Sequence, residues 1–597
     1  MLKLTRTGIG LLTRQYRSVL RKCWLINVGL WQAMGDAVSK AVSVPARLVA
    51  SLLSGGALNG EAFNVLDEIL LSRLFEKKLS SLTAVGLTIA ALALPMNAEA
   101  AELPRQVINS GQTVDSIVGS YTNHSTTELV DGRFIANQGG TVNNINVSVS
   151  SNSADLSNYN SGESTLVLNE GTIGSITGSF IDNYLTYGTT RSNNYDSNDD
   201  AVLLRDNGTI TYLNLTVRNN RAEGRAPNPT PMIFVIGRIK EFRGTYTDNI
   251  ASYNPLNGGN TEGSVLGTYG GGSVEKIDAV FDGNGSINTT AGDAYAAAVA
   301  SYNSHNNVYD EIKGTFSNNY SSSVTNGNSR GGAILNLRGQ MSNISGDFTG
   351  NYATSTHGNA LGGAISNNDT ITSIGTSTNK ATFTGNYVQS TDGTAFGGAI
   401  YNTSTLTSIG TSTNKATFSG NYAQSTDGEA LGGAIYNEGT INNIYADFTE
   451  NYAQYGGAIY NASTGEIDSI QGQFIRNIGN TSATITGGGA IYNAGIIDSI
   501  GSSNNYALFQ ENNLNTSARS NTGAGAIYNA GTINSIYANF VNNTSNWDGG
   551  ALWNSGTIKS LIGSFTGNSS AFGALIQYGN IDYLEASFTN NEAIGTY

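Results

Sequence analysis

Residues 361–386 read LGGAISNNDTITSIGTSTNKATFTGN, and residues 396–421 read FGGAIYNTSTLTSIGTSTNKATFSGN. A chain that repeats itself this closely is built from copies of one supersecondary unit, none of which buries its own apolar face. Aligning short apolar strings such as TYLNLTV, DEIKGTF, NNIYADF and DYLEASF extends the repeat to sixteen units. The closing residue of the string runs from Tyr121 to Phe588. The mean spacing is about 31 residues, and the tightest copies, such as Asn437 to Asn461, are 24 apart.

Such a unit could be helical or β. Ile444, Ala446 and Phe448 alternate with polar residues, as do Ile470, Gly472 and Phe474, and period two is the signature of a strand with one buried face. Gly, Asn, Ser and Thr, which supply most of the remainder, are poor helix-interior residues. Each unit then divides into three short strands: GGAIYN, a brief GTI piece, and SIYADF. Corners fall where alternation breaks, between Ile441 and Ile444 and between Phe448 and Asn451. The expected fold is all-β: a parallel β-helix of about sixteen coils over residues 101–597, with three short strands per coil. Inserts such as GTSTNK bulge at a corner. In that fold like stacks on like. Ile and Phe make apolar columns, Asn386, Asn421 and Asn451 make an amide ladder, and paired glycines such as Gly432 and Gly433 give positive φ and close approach. The first residues after 100 are expected to cap the opening coil.

Residues 1–100 are different in kind. They hold eleven Lys or Arg against six Asp or Glu, which leaves 19 basic and 38 acidic residues, a net charge of −19, for the rest. Residues 1–79 read as an extended basic, then amphipathic, helical or disordered region. Residues 80–100 read as the core of a signal peptide: Lys77 and Lys78 precede the apolar run Leu82–Leu94, and Ala98-Glu99-Ala100 is a small-x-small cleavage site. Cleavage is expected after Ala100. The only cysteine, Cys23, precedes it, so neither a disulfide framework nor a thiolate metal site is expected in the repeat region.

Two tetrapeptides carry a resemblance. GGAI begins at Gly331, Gly362, Gly397, Gly432, Gly456 and Gly488, with GGAL at Gly549. FxxN begins at Phe180 and Phe281 and at every Phe from Phe316 that closes a repeat string. The match FIAN at Phe134 falls in the frame of the first strand instead. This resembles the passenger region of polymorphic outer-membrane proteins, which are type V autotransporter adhesins, over about residues 105–597. The resemblance implies a surface-displayed β-helix with an adhesive role. Passengers of that family are rich in cysteine and are followed by a transmembrane barrel. This chain has no cysteine after residue 100 and no ten-residue alternating barrel strands, so the expectation carried forward is an autotransporter passenger in general.

The chemistry expected of the chain is contact, not catalysis. His124, His305 and His357 lie in different repeats without metal-ligand spacing, and His124 stands where later repeats carry the ladder Asn. No nucleophile motif surrounds any Ser. Asp468 and Asp498 share a repeat position, with Asp582 later; they are the only pattern suggesting paired carboxylates, and the simpler reading is a solvent position before a core Ile. Tyr401, Tyr436, Tyr460, Tyr492 and Tyr528, then Trp553, follow the core apolar residue. They are expected to point outward as an aromatic stripe, either a contact surface or a self-stacking stiffener.

The function expected is therefore a non-catalytic, adhesin-like passenger at the bacterial cell surface, in the outer membrane or secreted. Its partners are host or bacterial glycans or proteins, or a sister copy, together with the export machinery. No cofactor, metal or nucleic acid is expected, and the outer membrane would be reached only through a barrel absent from this sequence. The alternatives are a β-helical polysaccharide lyase or hydrolase and a structural surface-layer element.

Overall fold

The computed structural model describes residues 103–595 apart from 125–132, 156–164, 188–202, 225–230, 254–258, 482–486, 517–522 and 548. The described residues lie in one compact unit, Glu99–Tyr597. The expectations placed on residues 1–100, including Cys23 and the cleavage site at Ala98 and Ala100, fall outside the described residues.

The unit is a parallel β-solenoid with three sheets, and a fourth along part of its length. One coil shows how the sequence builds it. Ile435–Asn437 lies in the first sheet, Thr440–Thr449 in the second and Tyr452–Ala453 in the third. Each strand pairs in parallel with its counterparts in the neighbouring coils: Ile435 with Ile400 and Ile459, Ile444 with Ile409 and Ile470, Phe448 with Phe418 and Phe474. The second sheet keeps this register from Thr113–Thr122 to Asn580–Thr589. Its closing column runs Tyr121, Val149, Phe180, Val217, Tyr246, Phe281 and then Phe alone to Phe588. Phe134 precedes a first-sheet strand, Ile135–Gln138.

The division of the coil differs from the expected one in two places. The GTI piece is not a separate strand. Thr440–Thr449 is continuous, and the alternation slips because Asn442 and Asn443 both face away from the core while the parallel register skips Asn442. The slip bends the strand without ending it. The third strand instead follows the FxxN turn, in residues read from sequence as a corner. It is short, and its inward residues are small, Ala353, Val388, Ala423 or Ala453 with Ser355 and Ser390 also turned in, so it leaves no apolar alternation.

Ile and Phe of the first two sheets form one core along the whole unit. A smaller lobe projects from it. In the coils from Ala294–Tyr295 to Ala430–Leu431 a fourth, two-residue strand returns beside the third. The two pack through Ala353, Ala360, Val388, Ala395, Ala423 and Ala430, small enough to let the sheets close. At the opening coil, Leu103 N–H donates to Ser120 O at 3.0 Å and the Tyr121 hydroxyl reaches Pro104 O, so Leu103 and Pro104 lie against the end of the strand Thr113–Thr122.

Polar groups inside the solenoid are satisfied by ladders. Asn386 Nδ2 donates to Asn421 Oδ1 (3.0 Å) and to Phe348 O (2.9 Å), its backbone N–H also reaches Asn421 Oδ1, and its own Oδ1 accepts two bonds from Asn351. The expected ladder through Asn386, Asn421 and Asn451 is thus present, and it continues from Asn152 to Asn591. His124 occupies its column, with its N–H donating to Asn152 Oδ1. A second ladder, not anticipated, runs through the Asn of IYN: Asn402 to Asn437 (2.8 Å), then Asn437 to Asn461 (2.9 Å). Apart from Asn591 at the last coil these amides are buried, where an unpaired amide would be costly.

The glycine pairs divide their labour. Gly432 has φ +69°, whereas a Cβ on Gly433 would stand 2.1 Å from Gly457 O and 2.5 Å from Tyr452 O. The second glycine is therefore the one that admits the next coil. In GAGAI, Ala524 replaces the first glycine and Gly525 is kept, with Gly550 O at 2.2 Å from its would-be Cβ.

The FxxN corner is a single residue of positive φ, Glu450 at +57° and Gly420 at +62°. Space around Gly420 is open, so backbone conformation alone decides what fits. Gly420→Ala is expected to cost about 1 kcal/mol. Gly420→Asn is expected to be nearly neutral, because Asn tolerates this conformation. Urea denaturation of both variants checks this.

Candidate functional site

The aromatic stripe exists, and it is largely covered. Tyr401, Tyr436, Tyr460, Tyr492, Tyr528 and Trp553 stack in sequence with ring centroids 4.7–5.4 Å apart and near-parallel planes. They point away from the Ile column, as expected from alternation. They do not stand free in solvent. Tyr401 is 9% exposed, Tyr436 7%, and Tyr528 and Trp553 5% each, while Tyr460 and Tyr492 are partly buried. Leu361, Phe396 and Leu431, each just before a GG pair, pack onto the stack together with Tyr455. An apolar residue in that place is the sequence signal that would have revealed the cover. Burial, then Glu438, pushes the Tyr401 phenol up to about 12, and burial likewise holds Tyr436 and Tyr460 well above the usual phenol range. These hydroxyls stay neutral donors.

A second tyrosine stack lies on the outside of the third sheet, in a position sequence reading passed over. Tyr320, Tyr352, Tyr387 and Tyr422 each follow an FxxN asparagine. Their rings stack at 5.1, 4.9 and 4.8 Å with planes within 8° of parallel. All are partly exposed. Burial first, then the neighbouring phenols Tyr352 and Tyr422, pushes Tyr387 up to about 12. In both stacks neighbours cover the ring faces, so what reaches solvent is edges and hydroxyls.

Two shallow clefts open on the outer face of the second sheet. One, of about 370 Å³, is lined by Glu466, Asp468, Ile496, Asp498, Asn534 and Lys559 among others. Asp468 and Asp498 thus line one cleft. Asn442 Nδ2 holds Asp468 at 2.7 Å, and Asn534 holds Asp498. Asp582 is not among the lining residues; it is held by Asn580 on the last long strand. The other cleft, of about 430 Å³, brings Glu275, Asp310 and Glu311 together with Asn343, Ser345 and the bulge residues Thr376, Thr378 and Asn379. Both clefts sit where the skipped-register column carries acids in consecutive coils.

The three histidines remain apart. His305 pairs through Nδ1 with Asp369 at 2.5 Å, and His357 pairs with Asp392. Among the described residues no group of three or more His, Cys, Asp or Glu side chains is arranged to hold a metal ion.

One buried acid interrupts the second ladder. Asp206 is fully buried, accepts from Asn169 Nδ2 at 2.7 Å and from Gly208 N–H, and leaves Oδ2 without a partner. The next residue in its column is Val235, which offers an amide nothing to donate to. An ionised carboxylate, which only accepts, would end the ladder there without needing an acceptor beyond. Burial pushes Asp206 up from 3.8 to about 7, and Glu262, beside the Tyr269 hydroxyl, also up to about 7. A raised acid pKa means that the folded state holds the proton more tightly than the unfolded one. Stability is therefore expected to fall as pH rises from 3.8 to about 7 and then to level off. Asp206→Asn is expected to flatten part of that slope and leave the share of Glu262, as measured by urea midpoints across the window.

No family model, curated protein or solved structure matches the chain.

Proposed function

We propose that the chain is an exported autotransporter-type passenger, displayed at a bacterial surface or released from it, that acts by contact with cells, glycans or sister molecules. The observation that supports the reading best is the building of the GGAI and FxxN frame itself. Both motifs are consumed by the winding: glycines by coil approach, Phe by the core, Asn by the ladder. The outward positions are left free to vary, and they recur once per coil. A rod of this kind presents many weak contacts at fixed spacing, which raises avidity without any one strong site. The signal-like segment and the tetrapeptides point to export and to the polymorphic outer-membrane proteins as the nearest pattern.

The test is display and capture. Antibody against residues 331–595 is expected to label intact producing cells, with the label lost after external protease. Beads carrying the purified chain are expected to capture cells or glycans. Label found only after lysis, or beads that capture nothing, would overturn the reading.

A second reading, a polysaccharide-active enzyme, is favoured by one observation: Glu466, Asp468 and Asp498 share a cleft. It requires depolymerisation of an acidic or neutral glycan by the purified chain, abolished in Asp498→Asn.

A further inference from the structure

The outer tyrosine stack carries a consequence independent of any contact function. Tyr352, Tyr387 and Tyr422 are related by the step from one coil to the next. Their centroids are 4.9 and 4.8 Å apart, and the last two planes differ by 1°. Rings related in this way set the ortho carbons of one about a coil step from those of the next. The strands beneath pair in strict register, Tyr352 with Tyr387 and Tyr387 with Tyr422, so the alignment is fixed by the backbone. The edges of these rings reach solvent. In the inner stack Tyr436 is sealed, 7% exposed beneath Leu431 and Phe396.

We propose that Tyr352, Tyr387 and Tyr422 form an oxidative cross-linking site at which consecutive coils become joined through dityrosine. The co-reactant is hydrogen peroxide acting through a haem-peroxidase type of one-electron oxidant. Each of two adjacent phenols loses one electron and its hydroxyl proton, giving two tyrosyl radicals whose unpaired spin is shared with the ortho carbons. One Cε–Cε bond forms between the rings. The hydrogen on each bonded carbon then moves to its own oxygen, restoring both phenols. The net loss is two electrons and two protons, taken up by one peroxide to give two waters. The phenols enter this reaction neutral, so the proton must leave with the electron. Confinement of Tyr352 and Tyr387 between two rings each favours coupling within the molecule over coupling between molecules. The product is a covalent tie from coil to coil on the outside of the lobe, where a solenoid otherwise holds its coils by non-covalent nearest-neighbour contacts alone.

The test treats dilute purified chain with a haem peroxidase and limiting peroxide. The monomeric fraction is then digested and its cross-linked peptides identified by mass spectrometry. Peptides joining Tyr352 to Tyr387 and Tyr387 to Tyr422 are expected, with dityrosine fluorescence in the monomer. Tyr387→Phe keeps the ring and the stack, and it is expected to remove both peptides and lower the monomer fluorescence at least about twofold. Tyr436→Phe is expected to leave it unchanged. The proposal is overturned if dityrosine is absent, if it is confined to intermolecular species or to the exposed Tyr578 and Tyr583, or if the two variants lose it equally.

Discussion

Asn421→Ala is expected to destabilise the solenoid by about 3–6 kcal/mol, far more than the loss of one average hydrogen bond. The reason is what the truncation leaves behind. Asn421 Oδ1 accepts the backbone N–H and one Nδ2 hydrogen of Asn386, and its own Nδ2 donates to Phe383 O and Asn451 Oδ1. Alanine strands two donors on Asn386 and removes a donor from Phe383 O, all at 0% exposure for both asparagines. Each buried group left unpaired costs about 1–3 kcal/mol. Asn443 serves as the control; it is half-buried on the outer face of the second sheet, and its alanine variant is expected to stay within about 0.5 kcal/mol of the parent. Because a solenoid unfolds in parts, the urea midpoint should be read together with hydrogen exchange at the amides of Asn386 and Asn421, which is expected to accelerate first. A cost below about 1 kcal/mol would show that water or rearrangement replaces the ladder.

The same ladder shows how far the sequence could be read. Phe and Asn at fixed spacing were enough to place a stacked amide inside a parallel coil, because a polar residue repeated beside a core aromatic has few other ways to be buried. The column of Ile441 and Ile444 was legible for the same reason. Where the coil bends was not. Two consecutive outward residues, Asn442 and Asn443, look the same in sequence whether the strand turns or slips, and only the continuous pairing of Thr440–Thr449 distinguishes them. The third strand was hidden because its inward residues are an Ala or Val and a Ser, which make no apolar period. The stripe from Tyr401 to Trp553 was placed on the correct side of its strand, yet its exposure was misjudged. Alternation reports which way a side chain leaves its own sheet, and it is silent about what another segment lays over it. Leu361, Phe396 and Leu431 do that covering from a strand two residues long. Asp468 and Asp498 were read as sharing a repeat position, whereas Glu466, which joins them in the cleft, lies on the other side of the bend and was not read with them.

The largest packing effect is expected at Phe418, and the same column supplies its own control. Phe418 is fully buried between Phe383, at 4.6 Å between centroids, and Phe448, at 4.9 Å. Phe418→Ala removes the ring and leaves a gap that the paired strands on either side cannot close, since their spacing is set by backbone hydrogen bonds. The expected cost is about 3–5 kcal/mol. Phe588 occupies the same register position in the strand Asn580–Thr589, stacks on Phe565 at 4.8 Å, and is 50% exposed. With a ring on one side only, Phe588→Ala is expected to cost about 1 kcal/mol. The comparison isolates the physical reason for the repeat, because residue type, sheet and column are shared and the second ring is what Phe588 lacks. Thermal and urea unfolding of the two variants measure that difference. Equal losses would mean that each coil is stabilised from within, and a coil that needs no neighbour gives a chain no reason to write the same unit again and again.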